Sequence, residues 1–131
     1  MAGISLMPKK ILVVEDNKNN LTLIRDILRY HHYEVIEAEN GEAGVKKARQ
    51  HMPDLILMDI QMPIMDGFAA LKQLKNTEET KDIKVIALTS FAMTGDRDKI
   101  MSAGFDDYIA KPIRTRELPE TVRKILNEAV I

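Results

Sequence analysis

Five side chains able to do chemistry stand directly after short apolar runs. Glu15 and Asp16 follow Ile11-Leu12-Val13-Val14, Asp59 follows Leu55-Ile56-Leu57-Met58, Thr89 follows Val85-Ile86-Ala87-Leu88, and Lys111 follows Tyr108-Ile109-Ala110. A single Asp after such a run is ordinarily a helix cap or turn residue. Three acids, a hydroxyl and an ammonium at equivalent positions become a site if the runs lie side by side. Three carboxylates within about 5 Å of one another repel by roughly 3 kcal/mol per pair at an effective dielectric near 20. Such a cluster holds protons at raised pKa or recruits a cation. Oxygen donors without histidine or cysteine favour Mg²⁺, with Mn²⁺ as a substitute. With Lys111 and Thr89 beside the metal, Asp59 is suited to attack a phosphoryl group and to be held as an acyl phosphate. A purely structural salt-bridge cluster is the plain alternative, but one lysine balances three acids poorly.

The elements that must position these residues follow from the hydrophobic pattern. Unbroken apolar runs mark strands buried on both faces, as in a parallel sheet covered by helices. Five are expected: Lys10–Val14, a more polar Tyr33–Glu37 suited to an edge, the run from Leu55, Lys84–Leu88 and Tyr108–Ala110. Helical spacing recurs between them. Leu21, Ile24, Ile27 and Leu28 follow a capping Asn17; Ala43, Val45 and Ala48 precede Pro53; Phe68, Leu71 and Leu74 form a third stripe. Gly95–Ala103, with Ile100 and Met101, is closed by Gly104. A last helix runs from about Thr115 to the C-terminus, with Leu118, Val122, Ile125 and Leu126 inward and Pro119 tolerable in the first turn. Asn40-Gly41 and Asp66-Gly67 read as turns. Alternation of strands and helices with short loops demands right-handed parallel crossovers, hence an α/β doubly wound sheet with helices on both faces. In such sheets ligands bind at the carboxyl ends of the strands, where the five residues fall.

Composition sets bounds on function. The chain has 131 residues, 45% hydrophobic and 30% charged, which is ordinary for one globular domain. A net charge of -1 without a basic block argues against nucleic acid or an anionic membrane surface. The absence of cysteine removes disulfide and thiolate chemistry and fits a cytoplasmic setting. No apolar run approaches a membrane span and no secretory signal is evident. Residues 1–8 read as a leader, with the domain over 9–129. His31, His32 and His51 lie at helix ends away from the strand-end cluster and read as surface or capping residues, and the eight methionines as core filling.

The motifs Ile-Leu-Val-Val-Glu-Asp-Asn (11–17), Leu-Met-Asp-Ile-Gln-Met-Pro-Ile-Met-Asp-Gly (57–67), Ile-Ala-Leu-Thr-Ser (86–90) and Tyr-Ile-Ala-Lys-Pro (108–112) resemble those of two-component response regulator receiver domains. The resemblance covers nearly the whole chain, from about Lys9 to Ala129. It implies a flavodoxin-like sheet in the order 2-1-3-4-5 and Asp59 as the phosphoacceptor, charged by a histidine kinase or histidine phosphotransfer protein. It further implies that Glu15, Asp16, Asp59 and the backbone carbonyl of Gln61 bind Mg²⁺, and that Lys111 contacts the phosphoryl group, with Lys111-Pro112 cis. Thr89 would be the switch hydroxyl and Tyr108 the switch aromatic. The fourth helix, fifth strand and fifth helix would form the face that controls a downstream protein. Ser90, where alanine is common, leaves a second hydroxyl beside Thr89. Gln61 and Phe91 occupy positions that the family varies to set phosphate lifetime, and Phe91 would either shield the acyl phosphate or pack as core. The run Asp-Asn-Lys-Asn-Asn-Leu (16–21) resembles stand-alone cell-cycle and phosphorelay receivers.

The implied protein is a phosphorylation-dependent switch and not a turnover enzyme, a monomer or a phosphorylation-dependent dimer, without direct nucleic-acid or membrane contact. No output domain is expected after the last helix. Two rivals share its features. A flavodoxin-like cofactor binder should have a Ser/Thr/Gly-rich phosphate loop where Glu15-Asp16-Asn17 stands. A haloacid-dehalogenase-like phosphatase using Asp59 should have a second Asp two residues on, where Gln61 stands.

Overall fold

The apolar runs pair into a single five-stranded parallel sheet in the computed structural model, which describes residues 8–90 and 94–128. The elements are β1 (Lys10–Val14), α1 (Lys18–Tyr30), β2 (Glu34–Ala38), α2 (Gly41–His51), β3 (Leu55–Asp59), α3 (Gly67–Lys75), β4 (Lys84–Thr89), α4 (Thr94–Ala103), β5 (Asp107–Ala110) and α5 (Glu117–Leu126). The strand order is β2-β1-β3-β4-β5, all pairs parallel, so the chain winds one way from β1 to β2 and the other way from β3 to β5.

Alternation within each strand divides the core in two. Leu12, Val14, Ile56, Met58, Val85 and Ala87 point toward α2, α3 and α4, where they meet Ala48, Leu71, Leu74, Ile100 and Phe105. Ile11, Val13, Leu55, Leu57, Ile86, Leu88 and Ile109 point toward α1 and α5, onto Ile24, Leu28, Leu118 and Val122. All five residues of β3 are buried. Each large apolar side chain hidden this way contributes roughly 2 kcal/mol, as an upper estimate, so the central strand cannot slip register without losing most of both layers.

Several expectations are corrected. Asn40 and Asp66 are helix caps and not turn residues: Asn40 Oδ1 accepts from Ala43 N–H at 2.8 Å and Asp66 Oδ1 from Ala69 N–H at 2.9 Å. α5 begins at Glu117, not Thr115, because Pro119 has no N–H to bond the Thr115 carbonyl. It ends at Leu126, where Asn127 turns left-handed at φ 57° and Glu128 N–H bonds back to the Arg123 carbonyl at 3.0 Å. The edge strand begins at Glu34, and Tyr33 is buried ahead of it. Among the α4 residues whose burial is described, only Ile100 is buried, with Met101 45% exposed. His31 caps α1, and His51 is the last residue of α2. Phe91 lies outside the described residues. Among those described, no helix is long and apolar enough to cross a membrane.

Candidate functional site

Sheet register brings the predicted residues together. Asp59, the last residue of β3, pairs with Leu88, which places Thr89 one step beyond it, and Thr89 pairs with Ala110, immediately before Lys111. The Lys111 N–H bonds the Thr89 carbonyl at 2.7 Å, so the ends of β4 and β5 are tied at the site. Glu15 extends β1 by one residue, its N–H bonding the Ala38 carbonyl at 3.0 Å. Asn17, the cap of α1, turns the chain away and donates its N–H to Glu15 Oε2 at 3.2 Å.

Carboxylate oxygens of Glu15, Asp16 and Asp59 lie within 4.8 Å of one another. Glu15 and Asp59 are buried while Asp16 is exposed, so the cluster opens to solvent on the Asp16 side. Lys111 Nζ stands 2.9 Å from Glu15 Oε1 and 2.9 Å from Asp59 Oδ2. Both are short ammonium–carboxylate contacts, so a single lysine is shared between the two buried acids. Asp59 Oδ1 accepts from the Gln61 N–H at 2.9 Å, so the backbone after β3 fixes how the Asp59 carboxylate faces.

The charges are unbalanced. Burial, then a hydrogen bond and repulsion from Asp59, push the Glu15 carboxyl up to about 7 despite the opposing pull of Lys111. Burial would lower the Lys111 pKa, but Glu15 and Asp59 outweigh it and hold the ammonium above its usual value. Among the described residues, two of the three acids share one cation. An all-oxygen donor set, two buried acids sharing one lysine and an open side at Asp16 together fit a hard divalent cation.

Thr89 is fully buried whereas Ser90 is exposed, which separates the two adjacent hydroxyls. Tyr108 is half-buried on β5 against the α2–α3–α4 core layer, with the Arg97 guanidinium 5.6 Å from its ring centroid. The Lys111-Pro112 peptide is cis.

Sequence reasoning missed the backbone packing behind Asp59. A Cβ on Gly67 would lie 2.6 Å from the Asp59 carbonyl oxygen and 2.7 Å from the Ile60 Cα, so only glycine lets α3 start there. The Asp66-Gly67 pair was the available signal, but it reads equally well as a turn. Ile64 was also overlooked. It takes φ 71° in a tight turn closed by Met65 N–H to the Pro63 carbonyl at 2.8 Å, with its side chain 80% exposed. A β-branched residue in that region is strained.

With this geometry in hand, comparison with known proteins places the chain. The family model for the response regulator receiver domain matches residues 11–123. The polar-differentiation response regulator DivK of Brucella anthropi is 45% identical over 123 residues, 94% of this chain and 100% of that one. Among solved structures, the receiver domain of the sensor histidine kinase PA1611 from Pseudomonas aeruginosa, described with a magnesium ion coordinated in its active-site cleft, superposes with a TM-score of 0.85 at 35% identity, covering 93% of this chain and 100% of that one. The chemotaxis protein CheY4 of Vibrio cholerae, at 24% identity and a TM-score of 0.85 over 91% of this chain and 99% of its own, shares the fold. The chain belongs to the response regulator receiver domain family.

Proposed function

We propose that this receiver is a phosphorylation-driven switch in which Asp59 accepts a phosphoryl group from the phosphohistidine of a histidine kinase or histidine phosphotransfer protein. The observation that carries this reading is Asp59 itself: buried, oriented by Gln61 N–H and Lys111 Nζ, and grouped with Glu15 and Asp16 within 4.8 Å. One Asp59 oxygen attacks phosphorus; the new O–P bond forms as the P–N bond to the donor imidazole breaks, and the released ring nitrogen takes a proton from solvent. Mg²⁺ held by Glu15, Asp16, Asp59 and the Gln61 carbonyl would supply the positive charge that lets an anionic carboxylate meet an anionic phosphoryl group.

Lys111, released from its shared ion pair, follows the phosphoryl oxygens, and the Thr89 hydroxyl donates to another of them. Movement of Thr89 toward the phosphate opens room behind it, and Tyr108 turns inward. The face of α4, β5 and α5 then changes and controls a downstream protein. A shift from 1:99 to 99:1 between the two states needs about 5.5 kcal/mol of preference, which several new charged hydrogen bonds can supply. In this reading the chain assists its own phosphorylation and dephosphorylation in the cytoplasm without being a turnover catalyst.

Phosphoramidate, whose P–N bond stands in for phosphohistidine, tests the transfer. A hydroxylamine-labile phosphate should appear on the protein with Mg²⁺ and be lost in EDTA. A phosphate that resists hydroxylamine would place it on another residue type and overturn the assignment.

A further inference from the structure

α2 reaches the site without lending it a side chain. Its first residue, Gly41, is buried, and a Cβ there would lie 2.4 Å from the Met65 carbonyl oxygen and 3.1 Å from the Met65 Cβ. A β-carbon does not fit against backbone oxygen at that distance, so one side would have to move. The helix is the firmer party. About one turn on, Gly44 is packed so closely on Val14 that a Cβ would meet its side chain at 2.7 Å, and Ala48 is fully buried in the same layer.

The segment facing Gly41 is softer. Residues 60–66 form neither strand nor helix, and they double back at the strained Ile64. This same segment holds the Asp59 carboxylate through the Gln61 N–H. Pressure at Met65 is therefore transmitted along four residues to the group that aims the acceptor.

We infer that Gly41 is a positioning residue for phosphoryl acceptance: by letting α2 sit directly on Met65, it braces the segment that orients Asp59 and presents Gln61. The inference rests on the proposed role of Asp59. It predicts that α2, which supplies none of the proposed reacting groups, sets how well the site binds cation and takes phosphate.

The test compares Gly41→Ala with Ala48→Gly, which weakens the same helix away from the segment. Mg²⁺ affinity is measured by calorimetric titration and phosphate uptake from acetyl phosphate at saturating Mg²⁺. Gly41→Ala should weaken Mg²⁺ roughly tenfold and slow uptake by at least about tenfold, as displaced supporting groups do. Ala48→Gly should leave both within about twofold at a comparable loss of melting temperature. Asn40→Ala removes the cap bond to Ala43 N–H and loosens the helix start without adding bulk; it should give a smaller loss in the same direction and carries the test if Gly41→Ala does not fold. If these variants melt earlier yet bind Mg²⁺ and take phosphate as Ala48→Gly does, Gly41 is a packing position only and the inference is wrong. Failure of the proposed function is distinguishable, since wild type would then take no phosphate while the Mg²⁺ comparison still decides the role of Gly41.

Discussion

Replacing Lys111 by methionine removes the one cation that, among the described residues, pairs with Glu15 and Asp59, while nearly preserving side-chain length. Both contacts are 2.9 Å, the lysine side chain is 15% exposed, and the two acids are essentially inaccessible. Stripping the partner from buried charges costs about 3–5 kcal/mol, and the partial exposure of Lys111 with the open side at Asp16 favours the lower end. For a chain of this length 1 kcal/mol moves the melting temperature by about 3–4 °C, so Lys111→Met should melt roughly 10 °C below wild type in EDTA at pH 8. Two conditions should shrink that gap. Saturating Mg²⁺ restores positive charge to the cluster, and should reduce the gap to less than about 5 °C. Lowering the pH to 5.5 lets Glu15, already pushed up to about 7, take a proton and discharge the repulsion. Differential scanning fluorimetry at both pH values, with and without Mg²⁺, reads all four numbers. A gap under about 3 °C in EDTA, or one of about 10 °C that ignores both Mg²⁺ and pH, would refute the claim that Lys111 offsets a strained acidic cluster.

Other perturbations have equally definite outcomes. Glu15 has a folded pKa of about 7 against an ordinary 4.5, so its protonated form is favoured in the folded state. Its carboxylate therefore destabilises the metal-free fold progressively as pH rises from about 4.5 through 7, by on the order of 3 kcal/mol in full. In EDTA, Glu15→Gln should match wild type near pH 4.5 and melt above it at pH 8; parallel curves would mean that Glu15 titrates normally. Gly67→Ala drives a Cβ into the Asp59 carbonyl and Ile60 Cα and should cost about 1–3 kcal/mol in chemical denaturation, with phosphate uptake reduced further than stability explains. Unchanged uptake would show that the backbone behind Asp59 tolerates displacement. Tyr33→Phe deletes a 2.6 Å hydrogen bond to Glu128 that ties the start of β2 to the end of α5, far from the site. It should cost about 1–2 kcal/mol and leave phosphate uptake unaltered, and altered uptake would count against a self-contained site.

The sheet and its site were legible because both depend on runs of side-chain type. Leu55–Met58 could be read as a doubly buried strand since no polar residue interrupts it, and the residues ending such strands had to meet once the sheet was parallel. What escaped was backbone fit. Whether Asp66-Gly67 turns the chain or starts a helix depends on what lies behind the glycine, here the Asp59 carbonyl, which no local pattern encodes. The start of α5 lies two residues later than expected because Pro119 withholds the N–H that would bond the Thr115 carbonyl. Met101 follows Ile100 and looks as apolar, yet α4 presents only one of the two to the core. The raised pKa of Glu15 needed the observed burial, since charge spacing alone could not say which acid would be sealed from water.

The account turns on Asp59 carrying phosphate. Intact-mass measurement after incubation with Mg²⁺ and acetyl phosphate, wild type beside Asp59→Asn, tests this most directly. Addition of one phosphate to the wild type, absent from Asp59→Asn and absent in EDTA, is the predicted result. An adduct of equal size on Asp59→Asn, or none on wild type at any time from mixing to steady state with rapid hydrolysis checked for, would contradict it.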